Sequence, residues 1–270
     1  MTLTALIAGR GALPAALVAA MPVPPLVCAM DGFTPDGVTV DQVFRVERLS
    51  LFLRWLEDQG VSRVVFAGAV QRPRLDPSLF DPHTAQLVPR LIAAMQAGDD
   101  TTLRAVVGIF EDAGFTVAGI ADIAPALVPG PGLLTGQMAA IDEGDAARAA
   151  TIVTALGGVD VGQGAVVQQG LCLGVEALPG TDAMLGVVAG LTDATRPDPV
   201  RGKGVFYKAP KPGQDLRIDL PTLGVDTVRH AAAAGLAGIA WEAGGVICLD
   251  LPAMIATAKN AGLFLWSRSP

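Results

Sequence analysis

The chain is short of several residue types, and each shortage removes a class of function. Histidine occurs twice in 270 residues, as His83 and His230, and cysteine three times, as Cys28, Cys172 and Cys248. The cysteines are odd in number and far apart, with no C-x-x-C spacing. That argues against a disulfide framework and fits a reducing compartment. So few imidazoles and thiols disfavour a His/Cys zinc site. Neither histidine has a G-x-S-x-G partner for a nucleophilic triad. Aromatic residues make up 5%, with a single tyrosine, and the net charge is −7. Such a chain lacks the basic face and stacking motifs of a nucleic-acid binder, although a local basic cluster can still attract a small anion. No unbroken apolar run reaches about 18 residues, so no transmembrane helix is expected. The apolar N-terminus has no basic leader and is interrupted by Arg10, Gly11 and Pro14. It reads as a buried strand, turn and helix rather than a signal peptide, and the protein is expected to be cytoplasmic.

What is present is an aliphatic, turn-rich chain: 51% hydrophobic residues, 32 glycines and 20 prolines. Its core must be built from Ala, Val, Leu and Ile. The continuous apolar runs Leu3–Ala8, Leu26–Met30, Val64–Ala67 and Phe115–Gly119 read as buried parallel strands. Helical patterns lie between them, at Arg45–Gln59, Ala85–Ala97 and from Asp99 or Asp100 to Ala113. Strand and helix alternate, which predicts a Rossmann-like α/β domain over residues 1–124. Residues 125–136, rich in Pro and Gly, read as a linker. Residues 137–270 then form a distinct α/β domain with mixed strands. In it, 165–169 and 171–177 read as one hairpin, and 239–241 and 246–249 as a second.

Lysine is scarce too, yet three of the four lysines, Lys203, Lys208 and Lys211, fall within nine residues. They lead into Lys208-Ala-Pro-Lys-Pro-Gly-Gln-Asp-Leu-Arg-Ile-Asp-Leu-Pro-Thr-Leu-Gly224. Phosphate binding needs such cations, while water activation or a metal needs carboxylates such as Asp215 and Asp219. Read as an extended segment, Asp215, Arg217 and Asp219 share one face, with Leu216, Ile218 and Leu220 packed on the other. The alternative is a surface strand laced by salt bridges. Four further places compete for a role. Gly9 and Gly11 resemble G-x-G-x-x-G with Pro14 in place of the third glycine, and Asp31 ends the second strand where a ribose-binding acid would fall. The loop is either a phosphate cradle or a turn that needs glycine sterically. Arg72 follows the third strand and is an anion clamp or a solvated loop residue. Asp99 and Asp100 are a magnesium pair or a helix cap. Thr181 and Asp182 open a helix and either meet a phosphate or simply cap it.

Several segments, taken in order, resemble one family. They are Leu6-Ile-Ala-Gly-Arg-Gly-Ala-Leu-Pro14, Phe66-Ala-Gly-Ala-Val-Gln-Arg-Pro73, Gly98-Asp-Asp-Thr-Thr-Leu-Arg104 and Asp160-Val-Gly-Gln-Gly-Ala-Val-Val167. Next come Val175-Glu-Ala-Leu-Pro-Gly-Thr-Asp-Ala-Met-Leu185, Lys208–Gly224 and Ala234-Gly-Leu-Ala-Gly-Ile-Ala240. The ordered set resembles the LpxI-type UDP-2,3-diacylglucosamine pyrophosphatases of lipid A biosynthesis. The resemblance implies hydrolysis of UDP-2,3-diacylglucosamine to 2,3-diacylglucosamine 1-phosphate (lipid X) and UMP. It also implies a divalent cation such as Mg2+, a homodimer, and transient contact with the inner-membrane surface where the diacylated sugar lipid resides. The family's essential aspartate lies in Arg-x-Asp-Leu-Pro, here Arg217-Ile-Asp219-Leu-Pro221, which favours Asp219 over Asp215 as the catalytic carboxylate and metal candidate. The expected substrate contacts are Gly9, Gly11, Arg72, Thr181, Asp182, Lys208, Lys211, Gln214, Arg217 and Thr222. Ala69 stands where the family often carries Asn, a departure that touches the N-terminal contacts. Two rival readings remain at this point: a nucleotide-dependent oxidoreductase using the Gly9–Gly11 loop, and a non-catalytic binder of a nucleotide-linked lipid.

Overall fold

The computed structural model describes residues 3–71, 74–97, 99–192 and 194–270, the side chains of 97, 99 and 100 aside. It divides into two compact units, Met1–Ala126 with Asp215–Asp219, and Leu127–Gln214 with Leu220–Pro270.

In the first unit the chain runs β1 (Leu3–Ala8), α1 (Leu13–Ala20), β2 (Leu26–Met30), β3 (Gln42–Phe44), α2 (Leu49–Asp58) and β4 (Val61–Ala67). It continues through α3 (Pro82–Ala97), α4 (Asp99–Asp112), β5 (Thr116–Ala118) and α5 (Ile120–Ile123). The sheet order is β3-β2-β1-β4-β5, and its paired strands are all parallel. Ala5, Leu6, Val64 and Val65 are fully buried, as strands covered on both faces must be. Leu49, Phe52 and Leu56 form the buried stripe of α2. Phe52 stacks on Phe44 with ring centroids 4.0 Å apart. The entry to α3 is set by Asp81, whose carboxylate accepts from the backbone N–H groups of His83 and Thr84 at 2.9 Å each, a capping arrangement. Pro82 at the first helical position suits that start. The order places the switch point of the sheet between β1 and β4, where open α/β sheets receive ligands.

The second unit runs β6 (Gly132–Thr135), α6 (Ala140–Gly157), β7 (Gly164–Gln168), β8 (Leu171–Val175), α7 (Gly180–Ala189), β9 (Val205–Lys208) and β10 (Thr222–Leu223). It ends with α8 (Val225–Ala233), β11 (Gly238–Glu242), β12 (Ile247–Cys248), α9 (Leu251–Ala261) and β13 (Phe264–Arg268). The main sheet has the order β6-β13-β11-β9-β7-β8. β9, β11 and β13 run parallel, while β6, β7 and β8 join by antiparallel pairs. Alternate residues serve two cores. Val205 and Tyr207 face the small side chains Ala146 and Ala149 of α6. Phe206 and Trp241 face Leu185 of α7, Ala231 of α8 and Met254 of α9.

One expectation is corrected. β11 and β12 are not a hairpin. β9 and β13 already occupy both edges of β11, so after the turn at Gly244-Gly245 the chain pairs β12 with β10 instead. Within the stretch read as linker, Gly132–Thr135 forms β6, an edge strand hydrogen-bonded to β13. Its prolines fall before the paired residues, so they take no donor away from the ladder.

Candidate functional site

In the second unit, the first turns of α7 and α8 border one hollow of about 330 Å³. Its polar lining comes from Thr181, Asp182, Thr222 and Thr227, with Gly180 and Gly224 supplying bare backbone. Gly180 has φ +86°, a left-handed conformation that costs glycine nothing. Each helix start carries N–H groups with no acceptor inside the helix, and the positive end of the helix dipole. Two such starts at one hollow suit a phosphate or another small anion.

Lys208 ends β9 behind Thr181. Its Nζ lies 2.5 Å from Thr181 Oγ1 and 3.4 Å from Glu176 Oε2. The lysine side chain is 6% exposed and that of Glu176 13%, so the ammonium is buried but paired, as a buried charge must be. Asp182 Oδ1 sits 3.0 Å from His230 Nδ1 of α8. This pair is solvent-facing, which limits its worth.

The loop that follows β9 is braced at each step. Lys211 Nζ meets Asp160 Oδ1, and Gln214 Oε1 accepts from Gln163 Nε2 at 2.9 Å and from the Lys211 N–H at 2.8 Å. The expected extended row of Asp215, Arg217 and Asp219 does not form. The N–H groups of Ile218 and Asp219 both donate to the Asp215 carbonyl at 3.2 Å, closing a turn. Asp215 Oδ1 accepts from the Arg217 N–H at 3.1 Å and Nε at 2.9 Å, and Oδ2 accepts from Nη2 at 2.7 Å. A side chain that bonds its own backbone two residues on competes with strand pairing. Leu216 is therefore 46% exposed, while Ile218 packs into the core of the first unit. Arg217 Nη1 also reaches Glu111 at 2.7 Å. The Arg217 hydrogen bonds hold the Asp215 carboxyl below its ordinary range, and the two carboxylates raise the guanidinium in return.

The clustered cations are thus matched by carboxylates of the protein: Lys208 by Glu176, Lys211 by Asp160, Arg217 by Asp215 and Glu111. Lys203 is exposed. Of the expected substrate contacts, Thr181, Asp182 and Thr222 come together at the hollow. Lys208, Lys211 and Gln214 support it or the neighbouring loop, and Arg217 braces the turn that carries Asp219.

In the first unit the Gly9–Gly11 loop is sewn to the end of β4. The Gly9 N–H donates to Ala67 O at 2.8 Å, and Arg10 and Ala69 exchange N–H to O bonds at 2.9 Å. A Cβ on Gly9 would stand 2.6 Å from Ala69 O and 2.7 Å from Gly68 C, so this glycine answers a steric demand. The amides of Gly9 and Arg10 are occupied, and the phosphate-cradle reading loses them. Gly11, at φ +93°, serves the turn. Asp31 Oδ2 accepts from Arg45, with Nε at 2.9 Å and Nη2 at 2.6 Å, an exposed pair of limited worth. The occupied amides weigh against the nucleotide-dependent oxidoreductase reading. Arg72 lies outside the described residues, as do the side chains of Asp99 and Asp100.

A divalent cation is judged on the donor set. Among the described residues no three His, Cys, Asp or Glu side chains converge as a metal cluster. Asp215 accepts from Arg217 through both oxygens, and Asp219 is the other carboxylate of the segment. Magnesium typically takes one or two carboxylates, with the substrate's phosphates and water completing its shell. A cation that arrives with a pyrophosphate would therefore need no preformed cluster of protein carboxylates.

Gly224, Thr227, His230 and Glu176 were not singled out in the sequence. Gly224-Val-Asp-Thr227 carries the signal of a helix start, with a small cap followed by polar first-turn residues. The pairings of His230 and Glu176 join residues 48 and 32 positions apart, and no local pattern announces them.

Residues 3–127 match the LpxI N-terminal domain, and residues 130–266 match the LpxI C-terminal domain. One relative, the UDP-2,3-diacylglucosamine pyrophosphatase LpxI of Caulobacter vibrioides, is 43% identical over 217 residues, which cover 80% of this chain and 77% of the relative. With both halves matched in order and an identity of that size, the chain belongs to the LpxI family.

Proposed function

We propose that this protein hydrolyses the pyrophosphate bond of UDP-2,3-diacylglucosamine to give 2,3-diacylglucosamine 1-phosphate and UMP, a step of lipid A biosynthesis. The observation that carries the reading is the 43% identity to a relative named for that activity. Water adds to one phosphorus, the bridging P–O bond breaks, and the water's two protons end on the products or in solvent. Asp219, in Arg217-Ile-Asp219-Leu-Pro221, supplies the carboxylate, either as base toward the water or as ligand of a divalent cation. When bound, such a cation supplies charge neutralisation at the phosphoryl oxygens. The hollow at α7 and α8 receives phosphoryl oxygens on the hydroxyls of Thr181 and Thr222 and on first-turn amides.

The remaining features follow the resemblance. The protein works as a homodimer in the cytoplasm with transient contact to the membrane surface. Among the described residues no helix is long and apolar enough to cross a membrane, so that contact is not through a spanning helix of the described fold.

The test is mass spectrometry of the purified protein with UDP-2,3-diacylglucosamine and Mg2+ in oxygen-18 water. One labelled phosphate product is expected, with turnover in Asp219→Ala lower by about 100-fold or more, the scale of a lost acid–base group, and restraint of the reaction by a chelator. Substrate left intact refutes the reading, and tight binding of NADH would revive the oxidoreductase alternative.

A further inference from the structure

The three cations of the Lys208 segment are not equivalent, and Lys208 is the one that faces a hydroxyl. We propose that Lys208 is a positioning residue, which fixes the Thr181 hydroxyl as a hydrogen-bond donor toward a phosphoryl oxygen in the hollow. The proposal rests on the reading of that hollow as the place where phosphoryl oxygens sit.

An ammonium offers donors only, whereas a threonine hydroxyl has one proton and two lone pairs. At 2.5 Å from Nζ, Thr181 Oγ1 must accept, so its own proton points away from Lys208. Among the described residues no acceptor takes that proton, and Thr181 lines the hollow. Glu176, 3.4 Å from Nζ, balances the ammonium and holds it in place. Lys208 itself is 5% exposed and does not line the hollow, so it acts through Thr181 instead of touching the ligand. Asp182, whose carboxylate also borders the hollow, is turned to His230. The hollow is thus supplied with a directed hydroxyl donor that suits an acceptor-only group such as a phosphate oxygen.

The experiment compares wild-type protein with Thr181→Ser, Thr181→Val, the charge-neutral pair Glu176→Gln/Lys208→Met, and the triple variant combining that pair with Thr181→Val. Affinity for inorganic phosphate is read by calorimetry, and kcat/KM for UDP-2,3-diacylglucosamine by product release. The urea midpoint checks folding. Thr181→Ser should keep affinity within about twofold. Thr181→Val should lose about 10- to 100-fold in both readouts, the scale of one lost hydrogen bond to a charged oxygen. The neutral pair should lose less than Thr181→Val, and the triple variant no more than Thr181→Val alone, because Lys208 has nothing left to orient. Losses that multiply in the triple variant overturn the proposal, as does an unchanged neutral pair, or a wild-type protein with no measurable phosphate affinity. A wild-type protein that leaves the lipid substrate intact but shows the nested phosphate pattern removes the proposed function and keeps this inference.

Discussion

Arg217→Lys tests how the turn that carries Asp219 is held. Arg217 grips Asp215 through Nε and Nη2 and reaches Glu111 through Nη1. Lysine keeps the charge but cannot make the fork. Arg217 is 40% exposed and Asp215 16%, so the fork is worth less than a buried charged pair, and about 1–2 kcal/mol is a fair allowance after solvent screening. Ordering the five residues Asp215–Asp219 costs about 5–10 kcal/mol of backbone entropy. Partial burial of Ile218 returns about 1 kcal/mol, and the two backbone bonds to the Asp215 carbonyl about 1 kcal/mol each. These returns do not by themselves cover that cost, so the turn leans on the fork, and loss of the fork lowers its population. At about 1.4 kcal/mol per factor of ten, kcat in Arg217→Lys should fall about tenfold. KM should stay within about threefold and the urea midpoint should scarcely move, because the turn can open without unfolding either core. Activity within twofold of wild type would show that the fork does not hold the turn. A loss confined to KM would show that Arg217 touches substrate, and the positioning argument would fall.

Three further outcomes follow from the geometry. Gly9→Ala forces a methyl against backbone atoms at 2.6–2.7 Å, and should lower stability by about 1–3 kcal/mol in urea denaturation; an unchanged midpoint would refute the steric account of this glycine. Burial pushes the Asp81 carboxyl upward, but hydrogen bonds from Thr84, Ser50 and His83 outweigh it and hold the group at about 2, against an ordinary value of 3.8. The stability it contributes is present above about pH 4 and fades as pH falls toward 2, so Asp81→Asn should show a flatter acid limb in a pH series of urea midpoints. Burial pushes the Cys28 and Cys248 thiols up to about 12, while Cys172 is exposed. A thiol reagent should therefore modify one group in the native protein and three in urea, and rapid modification of all three without denaturant would contradict the buried placement.

Much of the architecture could be read from short-range pattern. The apolar runs became β1, β2 and β4 because a strand covered on both faces has no need of alternation. The pair β7 and β8 was visible because Gly170 sits between two strand-like runs and the partner is the next segment. The misread elements share a cause. The partner of β12 lies about 25 residues upstream in β10, since β11 had no free edge, and neither fact is encoded near Gly244-Gly245. Asp-x-Arg-x-Asp fits a strand face and an Asp-centred turn equally well, and the bonds Asp215 makes to Arg217, with Ile218 reaching a core, select the turn. The site shows the same division. Thr181 and Asp182 were legible as a helix start, and Lys208 as part of a cluster. That Lys208 faces Thr181 and Glu176, and that α8 brings Thr227 to the same hollow and His230 to Asp182, depends on how sheet and helices pack over long sequence separations.

The clasp between Arg10 and Ala69 has a consequence for anyone treating the first unit as a spare dinucleotide platform. Three main-chain bonds draw the mouth of β1 and β4 together, and two bare glycines let the strands' exits touch. Grafting a glycine-rich fingerprint there would require unpicking that seam before any cofactor found room. Kinship of topology with nucleotide-binding sheets, in this molecule, gives no licence to expect their cargo.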